Sequence, residues 1–387
     1  MESKKVYNFA AGPSKVPEEV NTQFVNFIYF QLPAQQVLRQ AQQELLNYNN
    51  EGASVMELSH RSKTFEKVIE TAEKDLRDIL SIPDNYKVLF MQGGGTGQFA
   101  AIPLNLCPGL KDCSADYLVT GAWSSKAAKE AEKYIKVNRV LPKSDKHVTI
   151  ADKSEWKLNA NASYLYYCEN ETIHGVEWHH APEPLPGVPL VADMSSNFLT
   201  KPIDVSKYGI IFAGAQKNVG IAGLVVVIVR EDLLGKEAGF CPSVLSYKTM
   251  ADNKSLYNTP NCFAVYITGL CLKWIKANGG LRGMQERCNK KSDLIYSVID
   301  SSNGFFYSPV DKRYRSKVNL PFRIGGANGD DELEKEFLSE SAKRGMIQLK
   351  GHRSVGGLRA SLFNAITIEE TQFLANFMKE FHNLKQK

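Results

Sequence analysis

Val88-Leu89-Phe90-Met91-Gln92-Gly93-Gly94-Gly95-Thr96-Gly97-Gln98-Phe99 decides the fold. Four apolar residues read as a buried strand. Glycines follow at once, and a helical pattern opens at Gly97. Glycine lets backbone approach a ligand closely, and a helix N-terminus offers free N–H groups to an anion. The stretch lacks the Gly-Lys-Ser/Thr of a P-loop, and Gln98 replaces the third glycine of G-x-G-x-x-G. A phosphate cup and a ligand-free glycine turn both remain open here.

Outward from this stretch, helix and strand patterns alternate. Residues 64–80 place Phe65, Ile69, Ala72, Leu76 and Ile79 on one helical face. Strands are expected at 116–120, 164–168, 189–193, 210–212 and 224–229, and a helix at 125–135. Short buried runs alternating with helices imply a mostly parallel sheet covered on both faces. Past about residue 284 the texture changes. Shorter strands at 317–324, 345–349 and 357–362, with helices at 331–344 and 368–384, read as a smaller α+β domain.

The chain has 387 residues, enough for two domains or one large α/β unit. Its hydrophobic share of 43% and charged share of 23% exclude wholesale disorder. The net charge of +5 is mild and scattered, which suits small anionic substrates better than nucleic acid. The longest apolar stretch, residues 220–229, is far short of a membrane span, and the first residues carry no apolar signal region. Seven Cys without a CxxC pair suggest reduced thiols, no structural zinc and a cytoplasmic setting. His179 and His180 read as surface histidines rather than metal ligands.

Two more stretches carry chemistry. Asp193, in Val191-Ala192-Asp193-Met194-Ser195-Ser196, ends a buried strand, where open α/β sheets bind ligands. A helix cap or a metal ligand would also explain it. Lys217 stands among small residues in Ala213-Gly214-Ala215-Gln216-Lys217-Asn218-Val219-Gly220, just after a strand. Such a setting desolvates an amine and lowers its pKa, as a Schiff-base lysine requires. With Trp123 available to stack on a ring, these parts match a pyridoxal phosphate site.

Over nearly its whole length the chain resembles the phosphoserine aminotransferases, class V aminotransferases of the type I pyridoxal-phosphate fold. The likeness rests on Asn8-Phe9-Ala10-Ala11-Gly12-Pro13, Met56-Glu57-Leu58-Ser59-His60-Arg61-Ser62, the glycine stretch and Thr120-Gly121-Ala122-Trp123-Ser124. It continues through Asn170-Glu171-Thr172, Asp193-Met194-Ser195-Ser196-Asn197-Phe198, Gly214-Ala215-Gln216-Lys217-Asn218 and Tyr257-Asn258-Thr259-Pro260. It ends in Gly351-His352-Arg353-Ser354-Val355-Gly356-Gly357-Leu358-Arg359-Ala360-Ser361.

The resemblance implies reversible transamination of 3-phosphohydroxypyruvate with L-glutamate, giving O-phospho-L-serine and 2-oxoglutarate, in serine biosynthesis. It implies that Lys217 carries pyridoxal 5'-phosphate and that Asp193 holds its ring nitrogen protonated. Trp123 matches the stacking ring, and Thr172 the hydroxyl near the phenolic oxygen. Gly95, Thr96 and Gln216 match phosphate contacts. Asn258 and Thr259 match residues that reach the phosphate from a neighbouring subunit, implying a homodimer. Arg359 matches the clamp on the substrate α-carboxylate. His60, Arg61, His352 and Arg353 match the cluster for the distal phosphate or carboxylate.

The expected division is a large cofactor domain at 37–284 and a small domain formed by 1–19 and 285–387. Two departures stand out. Bacterial relatives often carry Arg at the Thr96 position. Residues 20–36, with Phe24, Phe27, Ile28, Tyr29 and Phe30, form an aromatic insertion that relatives lack. It is either a true insertion or a stretch normally removed before translation. Inventory excludes a cysteine desulfurase, because no Cys follows Cys288. A silent scaffold would be expected to have lost Lys217, Asp193 or Arg359.

Overall fold

The computed structural model describes residues 6–17, 36–144 and 146–385. Most of the 20–36 insertion lies outside them. At its centre is a seven-stranded sheet built from β1 (Tyr86–Met91), β2 (Ser114–Leu118), β3 (Lys136–Arg139), β4 (Ala162–Cys168), β5 (Leu190–Asp193), β6 (Ile210–Gly214) and β7 (Val225–Arg230). The strand order is β1-β7-β6-β5-β4-β2-β3. Only β7 runs against its neighbours, pairing antiparallel with β1 and β6. The other pairings are parallel. The mostly parallel, mixed sheet expected from the sequence is therefore present.

Alternating side chains of each strand enter two cores, as the period of two requires. Val88, Phe90, Leu165, Tyr167, Ile211 and Val226 meet α1 (Gln36–Glu44), α2 (Lys63–Leu80) and α5 (Cys262–Ala277) on one face. Leu89, Met91, Tyr164, Tyr166, Phe212 and Val227 meet α3 (Gly94–Leu106) and α4 (Ala122–Ala131) on the other. Helix α2 starts where the Ser62 side chain accepts from Phe65 N–H.

A third core gathers the C-terminal part. There β8 (Phe306–Tyr307), β9 (Asn319–Ile324) and β10 (Leu358–Ser361) form an antiparallel sheet. Packed on it are α7 (Asp331–Lys343), α8 (Ile368–Lys385) and the end of the long α6 (Gly280–Asp300). Met284 of α6 lies in the first core, while Ile295, Val298 and Ile299 lie in the third. One helix thus spans the position where the sequence suggests a domain boundary. The N-terminal segment joins the small part as well, since Tyr7–Asn8 pairs in parallel with Met346–Ile347.

The register brings the ligand edge together. Met91 and Gly214 both pair with Val225, and Asp193 pairs with Cys168 on one side and Phe212 on the other. The carboxyl ends of β1, β6, β5 and β4 therefore line one rim, where open α/β sheets bind ligands.

Candidate active site

Lys217 follows β6 by three residues and reaches this rim. Its Nζ donates to Thr172 Oγ1 at 2.7 Å and lies 5.8 Å from the Trp123 ring centroid. Among the described residues no carboxylate lies within ion-pair distance of it. Burial pushes its pKa below that of an ordinary lysine, only partly offset by the charge of Asp193. The amine is thereby readied to act as a nucleophile or a base. Its backbone is pinned from the N-terminal segment: Ser14 Oγ donates to Lys217 O, and Ser14 N–H to Gln216 O at 2.9 Å. Gly12 sits against the lysine stem. A Cβ there would lie 3.2 Å from both Cγ and Cε of Lys217, and its φ of +117° suits glycine.

Asp193, 5% exposed, accepts from Ser195 N–H at 2.9 Å. Burial raises its pKa, while the Ser195 bonds and the Lys217 charge pull it down. Ser195 Oγ in turn accepts from Gly214 N–H at 3.1 Å. The Gln216 side chain folds over Gly214, its Oε1 2.8 Å from where a Cβ would stand.

Helix α3 begins at Gly94, earlier than the pattern at Gly97 suggests, with Gly93 left-handed at φ +86° as its cap. Gly95 and Thr96 therefore lie in the first turn, where N–H groups have no intrahelical acceptor. A Cβ on Gly95 would stand 3.4 Å from Ser195 Oγ, so glycine keeps this corner open.

One residue beside the site carries no sequence signal of its own. Glu171 is fully buried and accepts from Trp123 N–H and Ser124 N–H, each at 2.9 Å, and from Ser124 Oγ. It caps α4 from 47 residues away and so sets the Trp123 ring. Gly121 makes room, because a Cβ there would overlap the Glu171 carboxyl at 2.4 Å. The Trp123 Nε1–H itself is buried without a partner among the described residues.

Arg359 on β10 comes from the small part and donates to Thr172 O at 3.1 Å. Among the described residues no carboxylate pairs with it. Thr172 is thus touched by the lysine through its hydroxyl and by the arginine through its carbonyl. His352 has its Nδ1 2.7 Å from Ser354 Oγ, and burial, with the charges of Arg359 and Arg353 added, holds its pKa down.

His60 and Arg61 occupy the loop before α2, and Arg61 is exposed. No hydrogen bond or ion pair joins either of them to Lys217, Thr172, Arg359 or His352 among the described residues. Thr259 O accepts from Gln92 Nε2 at 2.9 Å and from Asn258 Nδ2 at 3.3 Å, which places that pair beside the end of β1.

The residues fit pyridoxal phosphate. A desolvated amine faces an indole, an acid lies at the centre of the rim, and an open helix start lies beside a hydroxyl and an amide. This is the arrangement of the type I pyridoxal-phosphate enzymes. The profile of the family "Aminotransferase class-V" matches residues 31–374. A phosphoserine aminotransferase of Drosophila melanogaster is 56% identical, covering 97% of this chain and 98% of its own. That of Pseudomonas aeruginosa is 47% identical over 98% of each chain. Among solved structures, the phosphoserine aminotransferase from Bacillus circulans superposes with a TM-score of 0.90 at 41% identity, covering 99% of this chain and all of that one. A structure titled as the PLP-bound enzyme from Trichomonas vaginalis gives 0.88 at 39%, covering 97% of this chain and all of that one. The chain belongs to the class-V aminotransferases and, within them, to the phosphoserine aminotransferases. No helix among the described residues is long and apolar enough to cross a membrane.

Proposed function

We propose that the chain transaminates between O-phospho-L-serine with 2-oxoglutarate and 3-phosphohydroxypyruvate with L-glutamate, in serine biosynthesis, as a cytoplasmic homodimer. The observation that carries this reading is the convergence on Thr172. It sets an arginine that pairs with no carboxylate among the described residues near a desolvated lysine, as an α-amino acid requires.

Pyridoxal phosphate, when bound, supplies an electrophilic carbon and an electron-accepting ring. The chain's own groups do the rest. Arg359 binds the α-carboxylate in a bidentate fork and so fixes the α-carbon relative to Lys217. Lys217 Nζ would take the proton from that carbon as base and, as its conjugate acid, give it up again within the same half-reaction, so that it ends each half as a neutral amine, a task its lowered pKa suits. Thr172 Oγ1 orients the amine. Asp193 offers a buried carboxylate to a ring N–H, and such a cation would hold it ionised. Trp123, fixed by Glu171, would cover one face of the ring and exclude water from it.

Gly95, Thr96 and Gln216 are assigned to the cofactor phosphate, with Asn258 and Thr259 serving the neighbouring subunit's site. His60, Arg61, His352 and Arg353 are assigned to the distal phosphate or γ-carboxylate. Residues 37–284 remain the proposed large domain, with 1–19 and 285–387 the small one.

The test is a panel of amino donors with 2-oxoglutarate. O-phospho-L-serine should exceed L-alanine and L-aspartate in kcat/KM by at least about a hundredfold, and Lys217→Ala should abolish turnover. Comparable rates for alanine or aspartate would overturn the substrate assignment.

A further inference from the structure

A short antiparallel hairpin pairs Asn170 with Glu177 and Glu171 with Val176. It presses against the entry to β9. A Cβ on Gly175 would stand 2.3 Å from Pro321 Cδ and 2.9 Å from Asn319 O, and the φ of +71° also suits glycine. Ser316 N–H donates to Gly175 O at 2.8 Å. Within the small sheet, Asn319 stands opposite Ser361 and Pro321 opposite Arg359. Directly opposed residues, and residues two apart, share a sheet face. Asn319, Pro321, Arg359 and Ser361 therefore lie on one face, the face that the hairpin covers.

Two rungs cross from the hairpin to that face. In one, Thr172 O accepts from Arg359. In the other, Asn170 Nδ2 donates to Asn319 Oδ1 at 2.9 Å, and Asn319 Nδ2 donates onward to Ser361 Oγ at 3.0 Å. Asn170, Asn319 and Ser361 are fully buried, whereas Arg359 is only partly so. Asn170 Nδ2 also donates to Ser196 Oγ at 2.8 Å, and that hydroxyl donates back to Asn170 O at 2.7 Å. One amide thus ties together the loop after Asp193, the segment whose Thr172 meets Lys217, and the strand pair that carries Arg359. With both its N–H donors engaged, Asn170 Oδ1 is left buried without a partner among the described residues. A hydrocarbon of the same size would avoid that orphan. What the amide adds is a fixed direction and length.

We infer that Asn319, through Asn170 and Ser361, is a positioning residue that sets the distance between the Arg359 guanidinium and the Lys217 amine. Arg359 has to serve the substrate carboxylate, so its own bond to Thr172 O is not a fixed reference. The buried rung beside it binds no substrate and keeps its length. A bound amino acid has its α-carbon between the carboxylate on Arg359 and the Lys217 Nζ. A shift of β10 by about 1 Å would leave the carboxylate bound but spoil the proton transfer, at a cost of up to about a hundredfold. The inference deepens the transaminase reading and rests on it.

The experiment separates positioning from mere filling. Holoenzymes carrying Asn319→Leu, Asn170→Leu with Asn319→Leu, and the milder Ser361→Ala are compared with the wild type by steady-state kinetics and urea unfolding. Asn319→Leu should lower kcat about tenfold, with KM within about threefold. The loss should be the same for O-phospho-L-serine and L-glutamate, because both present the same α-carboxylate. Ser361→Ala releases only the far end of the rung and should lower kcat about threefold. The single leucine strands the Asn170 donor, whereas the double variant removes both partners, so its urea midpoint should return toward the wild-type value. Its kcat should nevertheless stay about tenfold low, since no directed bond has been restored. A filling role predicts that kcat recovers together with the midpoint. That outcome, a loss confined to KM or to one of the two substrates, or wild-type kcat in all three variants would overturn the inference. A wild-type enzyme that transaminates neither substrate would instead refute the underlying functional reading.

Discussion

Replacing Glu171 by alanine should cost more stability than removing any exposed acid. The carboxylate accepts three hydrogen bonds, two from the first-turn N–H groups of Trp123 and Ser124 and one from the Ser124 hydroxyl. Hydrogen bonds to a charged group contribute about 1.5–3 kcal/mol each. Against them stands the cost of holding a fully buried carboxylate, which the upward pKa shift from burial reflects. Truncation recovers part of that cost but leaves two N–H groups without an acceptor. The net loss should be about 2–4 kcal/mol, since each buried N–H left without an acceptor costs about 1–3 kcal/mol. Glu171→Gln keeps one acceptor oxygen but turns an amide toward a donor, so about 2 kcal/mol is expected. The assay is urea unfolding of the apoprotein at pH 7. Because Trp123 depends on this cap, cofactor affinity should fall in parallel. A loss under about 1 kcal/mol in Glu171→Ala, with cofactor affinity unchanged, would refute the reasoning.

Other perturbations follow from the same contacts. Gly12→Ala forces a Cβ against the Lys217 stem at a positive φ; kcat should fall at least about tenfold and stability by about 1–2 kcal/mol, read by steady-state kinetics and urea unfolding. Lys291, 1% exposed, donates to the carbonyls of Leu362, Phe363 and Ile366 at 2.7–2.9 Å, and burial lowers its pKa to about 8. Lys291→Met leaves those carbonyls unserved just beyond the Arg359 strand, so unfolding should be easier by about 2–4 kcal/mol; an unchanged urea midpoint would contradict this. The pKa of His174 lies below the value of a free histidine, so the unfolded chain binds its proton first as pH falls. Stability present above about pH 6.5 should be lost toward pH 4. By pH 4.5 the wild type should have lost about 2 kcal/mol more than His174→Asn, measured by unfolding at both pH values.

Lys217, Asp193 and the glycine turn were legible because strand ends followed by small residues are local patterns. The parallel strands were legible for the same reason, since each is a short apolar run. Helix Cys262–Ala277 lacks a readable stripe, because it is buried almost all round and its apolar residues have no single face. Strand Lys136–Arg139 gives no signal in the sequence, because it sits at the sheet edge and carries polar, solvent-facing residues. Glu171 has no local pattern that sets it apart from other acids. Its role depends on partners some 50 positions earlier, a relation that appears only once β4 lies beside β2. The expected cluster of His60 and Arg61 with His352 is likewise a matter of distant loops, which no local pattern positions.

The central claim is that Lys217, and no other lysine, holds the cofactor. Borohydride reduction of the holoenzyme followed by peptide mapping tests it directly. The account predicts a pyridoxyl group on the peptide containing Lys217, and loss of that label when L-glutamate is added before reduction. Label on Lys291 or on a surface lysine, or label on Lys217 that glutamate leaves unchanged, would contradict it.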